Sequence, residues 1–300
     1  MPDSTVRRPF GALLTAMVTP FGADGAVDLA AAQSLAVKLV DDGHHGLVVS
    51  GTTGESPTTS DAEKEALLRA VVEAVGQRAV VVAGVGSNDT RHTLELTEQA
   101  VKAGAHGLLV VTPYYNKPPA DGLRAHFTTV ADATDLPVML YDIPGRTGTR
   151  IGTDNLLRLA EHPRIVAVKD ATGDLFAGSD VMSRTDLVYY SGDDTLNLAW
   201  LAQGACGLVS VVGHVAGRLY ARMVEAVDAG DLTAARSLHD TLIPVVREIM
   251  SGWSQGAIRA KAALQLQGVL ADRSTRLPLL PAPDADLPAL RTALEEAQLL

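Results

Sequence analysis

Gly46-Leu47-Val48-Val49-Ser50-Gly51-Thr52-Thr53-Gly54-Glu55-Ser56, followed shortly by Ser60-Asp61-Ala62-Glu63, holds a strand, a loop and the start of a helix. The run Gly46 to Ser50 is almost wholly apolar, as a strand is when both faces of its sheet are covered. Ser60 and Glu63 have capping-box spacing: the hydroxyl and the later carboxylate each satisfy a free amide of the other's backbone. A helix is therefore predicted from Ala62 to Val75, with Gly76 at its end.

The same unit recurs on either side. Short runs rich in Val, Ile and Leu lie at Leu13 to Thr19, Gly46 to Ser50, Val80 to Val85, Gly107 to Thr112, Val138 to Ile143, Ile165 to Lys169, Leu187 to Ser191 and Gly207 to Val212. Amphipathic segments separate them, among them Leu29 to Val40, Thr90 to Ala103, Leu123 to Ala133, Asn155 to Ala160 and Leu196 to Ala202; Gly43 and Gly104 stand where two of these should stop. Strands alternating with helices eight times within about 230 residues predict a closed parallel (β/α)8 TIM barrel. After the eighth strand only helical patterns follow, at His214 to Ala229, Ala234 to Met250, Ala257 to Gln267 and Leu287 to Leu299, the last preceded by the Pro-rich stretch Leu277 to Pro288. The predicted organisation is a catalytic barrel over residues 1–231 and a small C-terminal helical region over 232–300.

Composition narrows the function classes. A formal charge of -10, with scattered Lys and Arg, lacks the basic stripe that nucleic acid requires. The single cysteine, Cys206, sits in an apolar stretch, permits no intrachain disulfide and suits a reducing compartment. Arg7-Arg8 before Ala12 to Val18 superficially suggests an export signal, but Thr19-Pro20-Phe21 follows with no small-residue cleavage site. No run approaches the ~18 apolar residues of a membrane span. A cytoplasmic protein without nucleic-acid or membrane partners is expected.

In such barrels chemistry gathers at the carboxyl ends of the strands. Lys169 ends the run Ile165-Val166-Ala167-Val168, which places an amine at the finish of a buried strand. An ammonium moved out of water loses its proton more easily and can attack a carbonyl; the plainer readings are a phosphate ligand, an ion-pair partner or a surface lysine. The pleat assigns Ile165, Ala167 and Lys169 to one face and Met139, Tyr141 and Ile143 to one face of the neighbouring strand, so a phenol is expected beside the amine. Tyr141 could move protons there with Thr53 and Tyr115, or simply pack. Gly51-Thr52-Thr53-Gly54 offers backbone donors to a small carboxylate, and lacks the Gly-Lys-Ser/Thr of a P-loop. Gly84-Val85-Gly86 fails the dinucleotide fingerprint at Asp89. Arg146, in a Pro/Gly turn, suits bidentate contact with a second carboxylate or a structural ion pair. His44 and His45 are adjacent and point apart, Asp193 and Asp194 are read as a helix start near Thr195, and no serine occupies a G-x-S-x-G elbow. No metal and no cofactor is expected.

Gly51-Thr52-Thr53-Gly54-Glu55-Ser56, Thr112-Pro113-Tyr114-Tyr115-Asn116, Tyr141-Asp142-Ile143-Pro144-Gly145-Arg146-Thr147-Gly148 and Val168-Lys169-Asp170-Ala171-Thr172-Gly173 together resemble the 4-hydroxy-tetrahydrodipicolinate synthase (dihydrodipicolinate synthase) family, within the superfamily that includes N-acetylneuraminate lyase. The likeness covers nearly the whole chain. It implies a lyase of lysine and diaminopimelate biosynthesis that condenses pyruvate with L-aspartate 4-semialdehyde. By the resemblance, Lys169 forms the Schiff base with pyruvate, Thr52 and Thr53 hold the pyruvate carboxylate, and Thr53, Tyr141 and Tyr115 relay protons. Arg146 holds the incoming carboxylate, Gly192 and Val209 line the pocket, and Tyr115 reaches a neighbouring subunit's site in a dimer of dimers.

Two departures matter. Asp142 replaces the asparagine often found after the tyrosine. Asp61, Lys64 and His92 stand where lysine-inhibited members carry two histidines and a glutamate, while Ser56, Asn88 and Tyr114 match; a cationic Lys64 predicts weak or absent lysine feedback. The rival readings are a pyruvate-dependent lyase or aldolase on a sugar acid (N-acetylneuraminate or 2-keto-3-deoxy-gluconate type), disfavoured because neuraminate lyases usually carry an apolar residue at the position of Arg146, and a non-catalytic barrel that binds a keto acid.

Overall fold

Eight parallel strands close into a ring in the computed structural model, which describes residues 6–250 and 256–300. Residues 1–5 of the predicted barrel region lie outside the described residues. The strands are β1 (Leu13–Ala16), β2 (Gly46–Val49), β3 (Val80–Gly84), β4 (Gly107–Val111), β5 (Val138–Asp142), β6 (Ile165–Asp170), β7 (Val188–Ser191) and β8 (Gly207–Ser210). Each pairs with its successor, and β8 returns to β1 with Leu14 opposite Val209. Around the ring run α1 (Leu29–Asp41), α2 (Asp61–Val75), α3 (Thr90–Lys102), α4 (Ala120–Asp132), the single turn α5 (Pro144–Thr147), α6 (Thr153–Leu159), α7 (Leu175–Arg184), α8 (Asn197–Ala202) and α9 (Gly213–Asp228). The C-terminal region adds α10 (Leu232–Met250), α11 (Gly256–Leu266) and α12 (Leu287–Glu296). No described helix is long and apolar enough to cross a membrane.

The predicted capping box opens α2: Ser60 accepts from the Glu63 amide while the Glu63 carboxylate accepts from the Ser60 amide. Two of these helices, the single turn α5 and the longer α7, are not among the segments the sequence pattern predicts; α7 is the full-length one. Its buried face is marked by Gly178 and Val181, and a β-carbon at Gly178 would lie 2.2 Å from the Trp200 ring. Where close approach demands glycine, a hydrophobic period is not written.

Two apolar layers result. The larger lies between strands and helices and is continuous with the C-terminal region, joining Leu13, Val49 and Phe127 to Leu242, Ile249, Ala260 and Leu294. The smaller fills the ring with Leu14, Val48, Val82, Leu109, Met139, Ala167, Tyr190, Cys206 and Val209, as a barrel interior must be filled. The pleat reading of β6 needs one correction. Ala167 and Lys169 pair with Met139 and Tyr141, but Ile165 packs in the outer layer and Val166 in the inner, because the register shifts between Val138 and Met139.

Candidate active site

The last residues of β5 and β6 set the chemistry. Tyr141 and Lys169 are register partners, both almost fully buried, and the Lys169 ammonium nitrogen lies 4.2 Å from the centre of the Tyr141 ring. Burial pushes the amine down to about 7; the positive Arg146 acts the same way and the Asp194 carboxylate opposes both. Burial drives the Tyr141 phenol up to about 12, against the pull of Arg146 and of a hydrogen bond with Thr52. One group is thus a base near neutrality and the other a proton donor there.

Above Lys169 opens a cavity of about 260 Å³ whose wall includes Thr52, Thr53, Tyr141, Arg146 and Gly192. A second space of about 240 Å³ adjoins it, sharing Thr52, Tyr141, Ile143 and Arg146 and reaching Ser56 and Tyr114. Lys169 lies in the first of the two only. Gly192 is required by crowding: a β-carbon there would meet Lys169 Cγ at 2.9 Å and Cε at 3.0 Å.

The loop after β2 is a tight structure. Ser50 and Glu55 both adopt left-handed backbone, at φ 57° and 56°, a conformation L side chains seldom take. Within it Glu55 N donates to Thr52 O at 3.1 Å and Ser56 N to Gly51 O at 3.3 Å, while the Thr19 hydroxyl donates to Gly54 O at 2.6 Å. Its base rests on Gly84, whose absent side chain would collide with Ser50 O at 2.5 Å. Arg146, on the turn α5, is solvent-exposed, has no ion pair among the described residues and lines both spaces.

Two predicted residues lie elsewhere. Val209 is fully buried in the barrel interior and is not part of either cavity wall. Tyr115 is 88% exposed, at φ 73°, and is part of neither cavity wall. Asp142, the next residue after Tyr141 and the last of β5, has its carboxyl pushed up to about 7 by burial, with Asp170 paired opposite it adding to the effect. Among the described residues no group of three or more His, Cys, Asp or Glu is placed to hold a metal ion.

Sequence reasoning missed three contributors. Asp193 caps a helical turn as read, accepting from Thr195 N, but Asp194 turns inward. Its carboxylate accepts from Ser210 Oγ, Asn197 Nδ2 and the amides of Val211 and Val212, and so carries a fixed charge toward Lys169. Nothing in the pair Asp193-Asp194 distinguishes the two roles. Met250, Gly256 and Ala257, from the facing ends of α10 and α11, wall the Lys169 cavity. Lys261 of α11 reaches Glu55 in a fully buried ion pair. No local pattern announces either contact, since each joins segments far apart in sequence.

Residues 9–297 match the model of the Dihydrodipicolinate synthetase family. The chain is 65% identical to a 4-hydroxy-tetrahydrodipicolinate synthase of Kineococcus radiotolerans, covering 100% of this chain and 98% of that protein. It is 61% identical to one of Acidothermus cellulolyticus, over 96% of this chain and 93% of the relative. A crystal structure of DHDPS from Cyanidioschyzon merolae with lysine bound superposes with a TM-score of 0.94 at 41% identity, covering 98% of this chain and 100% of that one.

Proposed function

The chain belongs to the dihydrodipicolinate synthetase family, and from that premise we propose that it is a lyase which condenses pyruvate with L-aspartate 4-semialdehyde to 4-hydroxy-tetrahydrodipicolinate, in lysine and diaminopimelate biosynthesis. One observation carries the mechanism: a buried amine at about 7 stands against a phenol at about 12 on the floor of a cavity that Thr53 and Arg146 also line.

The neutral Lys169 amine attacks the pyruvate ketone carbon. An ordinary lysine exposes roughly one neutral amine in 10³ at pH 7, so bringing the group near 7 raises the nucleophilic fraction about 10³-fold. The pyruvate carboxylate rests on the Thr52-Thr53 loop. Tyr141, protonated at this pH, gives a proton to the carbinolamine oxygen, which leaves as water and yields the imine. Loss of a methyl proton gives an enamine, whose carbon attacks the aldehyde of the second substrate. The substrate amine then displaces Lys169 as the ring closes. Arg146, without an ion pair among the described residues and lining the cavity, holds the second carboxylate, and Thr53 completes the proton path with Tyr141. No cofactor enters this scheme.

The proposal extends to a homo-oligomer, a dimer of dimers, in which Tyr115 serves the site of a neighbouring copy. The exposure of this phenol and its left-handed backbone support that assignment. It also places the enzyme in a reducing cytoplasm, in keeping with the buried, unpaired Cys206. The barrel, residues 1–231, carries the reacting groups and the region 232–300 closes the cavity wall.

Incubation with pyruvate and borohydride, followed by peptide mass mapping, tests the reading. A reduced pyruvyl adduct on Lys169 that diminishes when aspartate 4-semialdehyde is supplied is the expected result. An adduct indifferent to that aldehyde moves the substrate to sugar acids, and no adduct leaves a non-catalytic barrel.

A further inference from the structure

The loop carrying Thr52 and Thr53 is fastened from outside the barrel. Glu55 lies in that loop with a side chain that is 1% exposed, and each carboxylate oxygen has its own partner. Oε1 meets Lys261 Nζ, and Oε2 accepts from Arg276 N at 2.9 Å. Lys261 also donates to Ser274 O at 2.7 Å and stands 4.2 Å above the Phe21 ring. The Arg276 guanidinium donates to Thr58 O, Gly25 O and the Glu63 carboxylate, so the segment around it ties the C-terminal end of the loop to the start of α2 and to the β1–α1 connection.

Helix α11 serves two purposes at once. Ala257 walls the Lys169 cavity, and Lys261 follows one helical turn later on the same face. One rigid element therefore sets the far wall and the Thr52-Thr53 loop relative to each other. The pair is also a poor choice if stability alone mattered, because well-packed apolar residues of similar volume usually do as well as a buried ion pair. What an apolar pair cannot do is hold a long side chain in left-handed backbone by bonds to both of its oxygens.

We propose that Glu55 and Lys261 are positioning residues for keto-acid binding: their buried pair fixes the Thr52-Thr53 loop at the distance from Lys169 that lets one small molecule place its carboxylate on the loop and its carbonyl at the amine. The inference rests on the reading of the site as a pyruvate Schiff-base site. Neither residue touches substrate; both act through Thr52, whose carbonyl accepts from the Glu55 amide.

The test uses the full chain as wild type, Lys261→Met, Glu55→Gln and the double variant E55Q/K261M. The readouts are the pyruvate concentration giving half-maximal borohydride adduct on Lys169, the pH midpoint of adduct formation and the melting temperature. Lys261→Met should raise the half-saturating pyruvate at least about tenfold with the pH midpoint unmoved, since the amine's surroundings are intact. The double variant, which strands no buried charge, should regain much of the melting temperature without regaining pyruvate affinity. Should Lys261→Met not fold, the double variant decides alone. A double variant that melts near wild type and binds pyruvate as well as wild type overturns the inference. Failure of the wild type itself to form an adduct overturns instead the reading on which it rests.

Discussion

Gly192 of the β7 end lies flat against the side chain of Lys169, with room for no β-carbon between them: one built there would sit 2.9 Å from Cγ and 2.9 Å from the Asp170 carbonyl. The backbone of Gly192 is not in the left-handed region, so space and not conformation excludes a side chain. Gly192→Ala is expected to fold, to displace the lysine and to slow adduct formation about 10- to 100-fold, the cost of misplacing a reacting group by roughly 1 Å. Trapping rates at saturating pyruvate measure it, and an unchanged rate would show that Lys169 does not need this path.

Lys169 is held against its own solvation. The unfolded chain carries it as an ammonium up to about 10.5, whereas the folded site releases its proton at about 7. Between those values unfolding takes up a proton, so stability rises with pH, and below pH 7 the whole cost of burying the charge is present. Lys169→Met should therefore abolish the adduct yet raise stability at pH 7 by on the order of a few kcal/mol, with the advantage shrinking toward pH 10.5. Denaturant titrations across that window check the sign; a methionine variant less stable than wild type at pH 7 would refute the depressed amine.

Arg146 faces the cavity without an ion-pair partner among the described residues. Arg146→Met should leave the pyruvate adduct intact and raise KM for aspartate 4-semialdehyde about 10- to 100-fold, the worth of a charge-assisted contact of about 1.5–3 kcal/mol. Because Arg146 helps hold the Lys169 amine down, the pH midpoint of adduct formation should also move upward in the variant. A midpoint unchanged or lowered contradicts that arrangement.

Asp61, Lys64 and His92, the positions on which the expectation of weak lysine feedback rests, engage one another. Lys64 Nζ donates to Thr59 O at 2.6 Å and approaches Asp61 at 3.4 Å, and His92 engages the other Asp61 oxygen at 2.9 Å. With the Asp61 carboxylate engaged and a cation beside it, free lysine is expected to meet repulsion there. Steady-state assays should show little inhibition at millimolar lysine; inhibition below that range would sink the prediction.

The barrel was legible because each strand is a short apolar run and most of the helices announce themselves with a cap or a period, as at Ser60 and Glu63. Lys169 and Tyr141 were legible for the same reason: pleat and neighbouring strands place them before any coordinates exist. Pairing across the register shift was not, which is why Ile165 went to the wrong face. Asp194 and Lys261 escaped on different grounds. A buried carboxylate or ammonium reads like a surface one until its partners, here Ser210 and Glu55, arrive from remote segments.

The bond between β8 and β1 has a consequence for biogenesis. A ring has no edge strand, but during synthesis the chain is an open sheet whose two borders, β1 and the newest strand, present unpaired amides and carbonyls until Val209 finds Leu14. A nascent chain halted before residue 207 cannot hide either border, and truncated products are expected to associate through them. Only after α11 has also left the ribosome can Lys261, 206 residues further along the chain, reach Glu55, so the Thr52-Thr53 loop is made early and fastened late.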